Sequence, residues 1–167
     1  MIKRQITSKE ALVKAEDLCA RSERCRSEIA EKLRQWGIVS SDAEKILSSL
    51  EERRFIDERR YAEAFVRSKF LFSHWGRVKI SQALAVKRIP RDFSDEALDL
   101  IDEQEYRSAV KSVVKRKAAT MDLPLSHEDR AKVARFAMSR GFEWKYIKDA
   151  LARLDDDDVD DDDAEDF

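Results

Sequence analysis

Apolar residues recur along the chain at helical spacing, and three stretches repeat the same pattern. These stretches begin at Arg26, Arg77 and Arg130, so the offsets between them are 51 and 53 residues. Their apolar positions coincide when the stretches are stacked: Ile29, Ile80 and Val133, then Leu33, Leu84 and Ala137, then Ile38, Ile89 and Phe142. Because residues three and four positions apart share one helix face, each stretch predicts a helix with one buried side.

Each of these helices is expected to have one helix before it and another after it. The same offsets align Leu47 with Leu98 and Leu151 in the following helix, and apolar residues at helical spacing also precede each pair. The pattern predicts three tandem three-helix repeats, over residues 8–54, 57–103 and 104–154. Three short helices bury little core alone, so we expect the repeats to pack on their neighbours in an elongated, curved array of about nine helices.

The composition favours the same all-α fold. Only 3 of the 167 residues are Gly and 2 are Pro, whereas 41% are charged. Turn-rich β-structure uses Gly and Pro more often, and helices carry charge readily on their exposed faces. With 43% hydrophobic residues, the chain is also long enough to bury a core. We therefore predict an all-α protein without a β-sheet.

The charge is divided between a basic body and an acidic end. Residues 155–167, "DDDDVDDDDAEDF", hold nine Asp and one Glu, which leaves 25 of the 35 acidic residues against 33 basic ones in residues 1–154. A block of like charges buries too little apolar surface to repay its ordering entropy, so we predict that residues 155–167 are disordered. This tail has two interpretations, a solubility device or a tethered competitor for whatever the basic body binds.

Residues suited to catalysis or metal binding are sparse. His74 and His127 are isolated, and Cys19 and Cys25 have no third metal ligand at a suitable spacing, so reduced thiols are expected. Neither a Gly-rich phosphate loop nor a nucleophile–base pattern is present in the sequence. We predict a non-enzyme that needs no cofactor or metal. The charged N-terminal stretch lacks an apolar segment, which predicts a cytoplasmic protein without a membrane anchor.

The segment "RRYAEAFVRSKF" combines basic and aromatic residues and has two interpretations. Tyr61 and Phe65 fall on the inward face of the predicted helix, whereas Arg60 and Arg67 fall on the opposite face. The outward face is either a salt-bridged surface or a contact for a partner. More basic residues follow in the rest of this second repeat and in the third. In addition, Arg26, Arg77 and Arg130 recur in first turns, where a cation opposes the helix dipole. This recurrence predicts that they serve a contact outside the fold.

Two longer segments resemble the RecX regulatory proteins. "FIDERRYAEAFVRSK" followed by "WGRVKISQALAVKRI" matches the family's pattern of an apolar pair, Asp, an acidic residue, Arg, an aromatic residue and Ala, and then Gly with a basic residue and Ile. "SEIAEKLRQWGI" and "RFAMSRGFEWKYIKDAL" also resemble family segments, so the similarity covers about residues 10–154. Arg77 stands where the family usually has Pro, and Arg54 and Arg88 stand where it usually has Gly, which leaves the local turns in question.

The resemblance implies a protein that binds the RecA recombinase filament on DNA and restrains its strand-exchange and coprotease activities. It places the chain in recombination, DNA repair and the SOS response. It also implies structural roles for one set of residues and partner or DNA contacts for another. The structural set is Asp57, Tyr61, Phe65, Ile80 and Leu84. The resemblance supplies Arg60, Arg67 and Lys79 to the contact set. The basic charge of the neighbouring segments adds the other predicted contacts, which are Arg77, Lys87, Arg88, Lys115, Arg116 and Arg130.

A second function class remains open from the residues alone. A basic helical module that binds naked single- or double-stranded DNA without base specificity has the same charge distribution. We expect a monomer in either case. The pattern does not distinguish whether a filament regulator blocks growth, promotes disassembly or occludes the filament groove.

Overall fold

The computed structural model describes residues 6–157, and within that range the secondary structure is helical, without a strand. The prediction of an all-α fold is therefore confirmed. The helices are α1 Ser8–Arg21, α2 Arg26–Gln35, α3 Ser40–Glu52, α4 Glu58–Leu71, α5 Arg77–Val86, α6 Arg91–Asp99, α7 Glu103–Ala118, α8 His127–Ser139 and α9 Trp144–Asp157. Helix α9 ends at Asp157, and the rest of the predicted acidic tail lies outside the described residues.

The helices group into two compact units. One unit comprises Met1–Val66 with Ala83–Ala97, and the other comprises Arg67–Gln82 with Leu98–Phe167. The division passes through α4 and α5, and therefore through the second of the three predicted repeats. The bounds of those repeats stay a prediction. The helices α1–α3, α4–α6 and α7–α9 correspond to them within a few residues and are called the first, second and third triplet.

Side-chain caps fix where several helices begin. Thr7 and Glu10 form a reciprocal capping box at α1, and Ser126 accepts a hydrogen bond from the backbone N–H of Asp129 at α8. The Asp102 carboxylate accepts from two backbone N–H groups in the first turn of α7. Asp57 has the same function before α4, where its carboxylate accepts from the N–H of Arg60 at 3.0 Å. These oxygens satisfy donors that have no partner inside the helix.

The middle helix of each triplet ends in the same left-handed turn. Gly37, Arg88 and Gly141 follow α2, α5 and α8 with φ angles of 79°, 60° and 90°. The next residue then donates back to the helix, with N–H to carbonyl distances of 3.0, 3.1 and 3.3 Å for the pairs Ile38–Leu33, Ile89–Leu84 and Phe142–Ala137. This is the Schellman pattern, and it occurs at the positions that the sequence alignment made equivalent.

Each unit has its own core. In the first unit, α1, α2 and α3 bury a cluster around Ile29, Leu33 and Leu50, all with no exposed surface. In the second unit, Tyr106 on α7 is fully buried, and its ring lies 5.1–5.9 Å from the rings of Phe70, Phe142 and Tyr146. Aromatic pairs at such distances stabilise a core beyond the apolar area that they bury.

Inside each unit, a hydrogen bond to a backbone carbonyl connects two consecutive triplets, and this contact is called a joint. In the first unit, the Ser27 hydroxyl donates to the Lys87 carbonyl at 2.6 Å. In the second, the N–H of Gly76 donates to the Arg140 carbonyl at 2.7 Å. Lys87 and Arg140 are equivalent positions, since each directly precedes the left-handed residue of its turn. The joint of the second triplet with the first thus belongs to one unit, and its joint with the third belongs to the other.

The second joint leaves no room for a side chain. A Cβ atom on Gly76 would lie 2.3 Å from the carbonyl carbon of Gly141, and one on Gly141 would lie 2.3 Å from the Cβ of Lys79. Two heavy atoms do not approach so closely without displacing the backbone. Glycine is therefore required at both positions, and Gly141 also needs its positive φ angle.

We predict opposite effects of substitution at the equivalent turn positions Arg88 and Gly141. Arg88→Gly should raise the free energy of unfolding by about 1 kcal/mol, because glycine adopts the left-handed conformation without the steric cost that an L side chain bears. Gly141→Ala should lower it by about 2–5 kcal/mol, because strain and the contact with Lys79 combine. Urea unfolding followed by circular dichroism measures both changes.

Ala85→Gly is the matched control for Arg88→Gly, since Ala85 is exposed and lies inside α5. Glycine in a helix interior should cost about 1 kcal/mol there. A loss of stability in Arg88→Gly comparable to that of the control would show that the Arg88 side chain outweighs the strain of its backbone.

Candidate interaction surface

Four of the nine basic residues predicted as contacts are exposed and have no carboxylate partner among the described residues. They are Arg67 on α4, Arg88 after α5, and Lys115 and Arg116 in the last turn of α7. Arg116 donates only to the carbonyl of Ser112, one turn earlier. Exposed cations without an internal partner stay hydrated and are available to an external anion.

The first-turn arginines make contacts inside the fold. Each of Arg26, Arg77 and Arg130 reaches toward the C-terminal part of the third helix of its own triplet. Arg26 contacts Glu51 on α3 at 2.6 Å, Arg77 contacts the carbonyl of Ile101 after α6 at 3.4 Å, and Arg130 contacts the carbonyl of Leu151 on α9 at 3.5 Å. Each arginine thereby contacts its own triplet, Arg26 through a carboxylate and Arg77 and Arg130 through backbone carbonyls. The fold itself accounts for their recurrence, and the external contact inferred from it stays a prediction.

Arg77 is the most enclosed of these arginines, with 22% of its side chain exposed. Its guanidinium lies 4.0 Å from the centroid of the Tyr106 ring and donates to the Tyr146 hydroxyl and to Glu103, at 3.3 and 3.4 Å. Tyr146 in turn donates to Glu103 at 2.8 Å. Burial disfavours the charge, but the hydrogen bonds and charges of Tyr146 and Glu103 outweigh it and raise the pKa of Arg77.

Tyr106 continues this network on the other side of Arg77. Its hydroxyl accepts from the backbone N–H of Arg77 at 3.0 Å and donates to Glu143. Burial, followed by the hydrogen bond to Glu143, raises the pKa of Tyr106 well above its ordinary value. The phenol therefore stays protonated and keeps its donor at physiological pH.

Arg60 and Lys87 belong to a second ionic network, in the first unit. Arg60 donates to Glu23 at 2.6 Å, and Lys87 donates to Glu28 at 2.6 Å. Glu28 also accepts from the hydroxyl of Tyr61 at 3.0 Å. Burial alone would raise the pKa of Glu28, but the hydrogen bonds of Lys87 and Tyr61 bring it below its ordinary value. The two cations are thus partly engaged within the chain.

The remaining predicted residues are located as follows. Lys79 lies 4.6 Å from the ring centroid of Trp75 and is half-buried. Tyr61 is buried, and Phe65 stacks on it with ring centroids 5.9 Å apart. Ile80 and Leu84 are fully buried on α5. The four side chains other than Lys79 therefore lie where structural roles require them.

Two features of the surface were not predicted from the sequence. They are the residues that bind Arg77 and Lys87, and one basic groove. Glu28, Glu103 and Tyr146 are distant in sequence from the cations that they bind, so only the fold reveals the pairs. The groove lies in the second unit, beside α7 and α8, and Phe136 and Arg140 contribute to it. A basic run at the end of α7 was the one signal that pointed toward it.

Neither a membrane span nor a metal site is found in residues 6–157. No helix in this range has the length and apolar composition to cross a bilayer. The same residues contain no cluster of His, Cys, Asp or Glu suited to a metal ion.

Comparison with known proteins identifies the family. Residues 11–50 match the model described as RecX, first three-helix domain, and residues 57–98 match RecX, second three-helix domain. The "Regulatory protein RecX" of Pseudomonas fluorescens is 35% identical over 144 residues, which cover 86% of this chain and 91% of the relative. The chain belongs to the RecX family.

Two further RecX proteins extend the comparison. The chain is 27% identical to "Regulatory protein RecX" of Clostridium tetani over 138 residues, 80% of this chain and 62% of the relative. The crystal structure of RecX from Lactobacillus salivarius matches with a TM-score of 0.79 at 22% identity, and covers 89% of this chain and 96% of that one. The structural match supports the fold. The family models and the relatives named as regulatory proteins place the chain among regulatory proteins.

The departures from the RecX pattern keep the local turns. Arg54 and Arg88 replace the glycine that the resemblance implies, and both adopt left-handed backbone, with φ angles of 58° and 60°. Arg77, which replaces the implied proline, uses its N–H to bind the Tyr106 hydroxyl, and proline has no such donor. These substitutions therefore change side chains and one hydrogen bond while the turns remain.

We predict that Arg77→Ala and Arg67→Ala differ in stability. Arg77→Ala should lower the free energy of unfolding by about 1–3 kcal/mol, since it removes a stacked guanidinium and leaves Glu103 and Tyr146 short of a partner. Arg67→Ala should stay within about 0.5 kcal/mol of the wild type, because Arg67 is exposed. Chemical denaturation measures both, and equal stability of the two variants would contradict the structural role of Arg77.

Proposed function

We propose that this RecX-family protein binds the RecA filament on DNA and restrains its strand-exchange and coprotease activities, without catalysis of its own. Its site of action is the cytoplasm, and it acts as a monomer. The observation that carries the proposal is the set of exposed cations that have no carboxylate partner among residues 6–154: Arg67, Arg88, Lys115 and Arg116. Family membership supports the regulatory role.

The availability of these cations separates them from the other predicted contacts. Arg60, Arg77 and Lys87 would have to exchange an internal carboxylate for an external one, so the net gain on binding is small. The four exposed residues give up only water and counterions. We therefore assign the primary contacts to them, and a supporting role to Arg60, Arg77, Lys79, Lys87 and Arg130.

Arginine suits a protein partner that presents carboxylates as well as phosphates. Its planar guanidinium binds either group through two parallel hydrogen bonds, whereas an ammonium acts as a point charge. Three of the four exposed residues are arginines. A filament of protein and DNA offers both kinds of acceptor on one surface.

Direct binding to naked DNA is the second candidate function. It is favoured by the end of α7, where Lys115, Arg116 and Lys117 follow one another without a carboxylate within ion-pair distance among the described residues. Such a binder should lose affinity with salt at a slope of about −0.9 per neutralised phosphate on duplex DNA. A protein-directed regulator should instead require the filament.

We predict that the triple variant Arg67→Ala, Arg88→Ala and Lys115→Ala folds normally but inhibits poorly. Its melting temperature should change little, because exposed charges contribute little to stability. The concentration needed to inhibit RecA ATP hydrolysis and strand exchange should rise roughly tenfold, on the basis of about 0.5 kcal/mol for each lost contact. Inhibition titrations with purified filaments measure this shift.

Arg135→Ala, Lys148→Ala and Arg153→Ala together form the matched control, since these three residues are also exposed cations. This control keeps the same net charge as the test variant and should retain inhibition. Co-sedimentation with filaments and with naked single-stranded DNA separates the two candidate functions. Equal inhibition by both triple variants would mean that total charge, and not these positions, determines the activity.

A further inference from the structure

A groove of about 300 Å³ in the second unit combines an exposed aromatic ring with cations. It is lined by His74, Val113, Arg116, Lys117, Thr120, Phe136 and Arg140. Phe136, on α8, leaves 37% of its surface exposed, so part of its ring is open beside the groove. The groove is of the size that holds one small ligand group.

Cations surround the Phe136 ring. The ammonium of Lys117 lies 5.2 Å from the ring centroid, and the guanidinium of Arg140 lies 5.8 Å from it. Arg116 lines the same groove. The lining contains no Asp or Glu, and none of the three cations pairs with a carboxylate among residues 6–154. The groove therefore presents three uncompensated positive charges next to a flat apolar face.

Arg140 carries a second indication of a missing partner. Its Nε atom is buried and has no hydrogen-bond partner among the described residues. A guanidinium is a five-donor group, and a buried donor without an acceptor costs free energy. The backbone carbonyl of Arg140 is meanwhile fixed by the N–H of Gly76, so the residue is held in place beside the groove. An anion in the groove would lie beside this guanidinium, because Arg140 lines the groove.

We infer that this groove binds one unpaired nucleotide of a single-stranded nucleic acid, with the base on Phe136 and the phosphate at Lys117 and Arg140. The cations account for the phosphate, and the ring accounts for the base. Stacking on an aromatic side chain next to a basic surface is how proteins hold single strands without reading their sequence. An acidic peptide would use the cations but not the ring.

The flexibility of Lys117 makes room for the base. A lysine has a long stem and a strongly hydrated head, so its ammonium leaves the ring for a phosphate oxygen at little cost. A base in a duplex is already stacked on both sides and is not available to Phe136. The groove should therefore distinguish unpaired from paired strands, which charge alone does not do. This inference rests on the second candidate function and deepens it, because it names one groove and an unpaired nucleotide as its ligand.

The test measures fluorescence anisotropy of a labelled oligothymidylate with the full chain. Phe136→Leu keeps an apolar side chain but removes the ring, and it should weaken binding about 5- to 100-fold. It should leave affinity for a matched oligomer of abasic sites unchanged. Lys117→Gln with Arg140→Gln should weaken binding to both oligomers and reduce the salt slope by about 1.4, for two phosphate contacts at about 0.7 each.

Two control variants accompany these. Trp144→Leu removes another exposed aromatic ring of the same unit, and Lys148→Gln with Arg153→Gln removes two exposed cations from α9. Both should retain the preference for the base-containing oligomer, and melting temperatures confirm that every variant is folded. Wild-type affinity in Phe136→Leu, or an equal loss for both oligomers, would overturn the assignment of the base. Displacement of the oligothymidylate by oligo-aspartate at equal charge concentration would point to an acidic peptide and overturn the nucleotide assignment.

Discussion

The left-handed residue that ends the middle helix of each triplet is the constraint on which the other contacts depend. It turns the chain so that the next residue can donate back to the helix, and it directs the preceding carbonyl outward. At Lys87 and at Arg140 this carbonyl accepts from the preceding triplet. The same geometry thus closes one helix and joins it to a neighbour, first in one unit and then in the other. The boundary between the units passes through the middle triplet because that triplet takes part in both joints.

Charge in this protein divides into a structural part and an available part. The first-turn arginines contact the third helix of their triplet or the residues just after it, and Arg60 and Lys87 are held by Glu23 and Glu28. What remains available among residues 6–154 are exposed cations without a carboxylate partner there, such as Arg67 on α4, Arg88 after α5 and the basic residues at the end of α7. The excess of positive charge in residues 1–154 therefore overstates the surface open to a partner. The useful quantity is the number of cations that lack a carboxylate within the fold.

The sequence predicted the helices well and the surface only in part. Apolar spacing aligned Leu33, Leu84 and Ala137, because it reports directly on the buried face of a helix. The carbonyls of these three residues accept the same backbone hydrogen bond, which agrees with the alignment. Contacts between residues distant along the chain leave no such period. Glu103 lies 26 residues from Arg77, and Tyr146 lies 69 residues from it, so neither pair was visible in the pattern. Arg140 was missed because its neighbours in the groove come from three separate segments.

The two joints between triplets use different residues, and this difference limits how triplets can be rearranged in the chain. One uses a serine hydroxyl as its donor, whereas the other brings Gly76 and Gly141 together with no side chain between them. Triplets are therefore not interchangeable modules. If the first triplet were placed before the third, Cys25 would stand where Gly76 now stands and would place a side chain against Gly141. Shuffling or duplication of repeats in such a chain requires the residues of the joint to change together with the triplet.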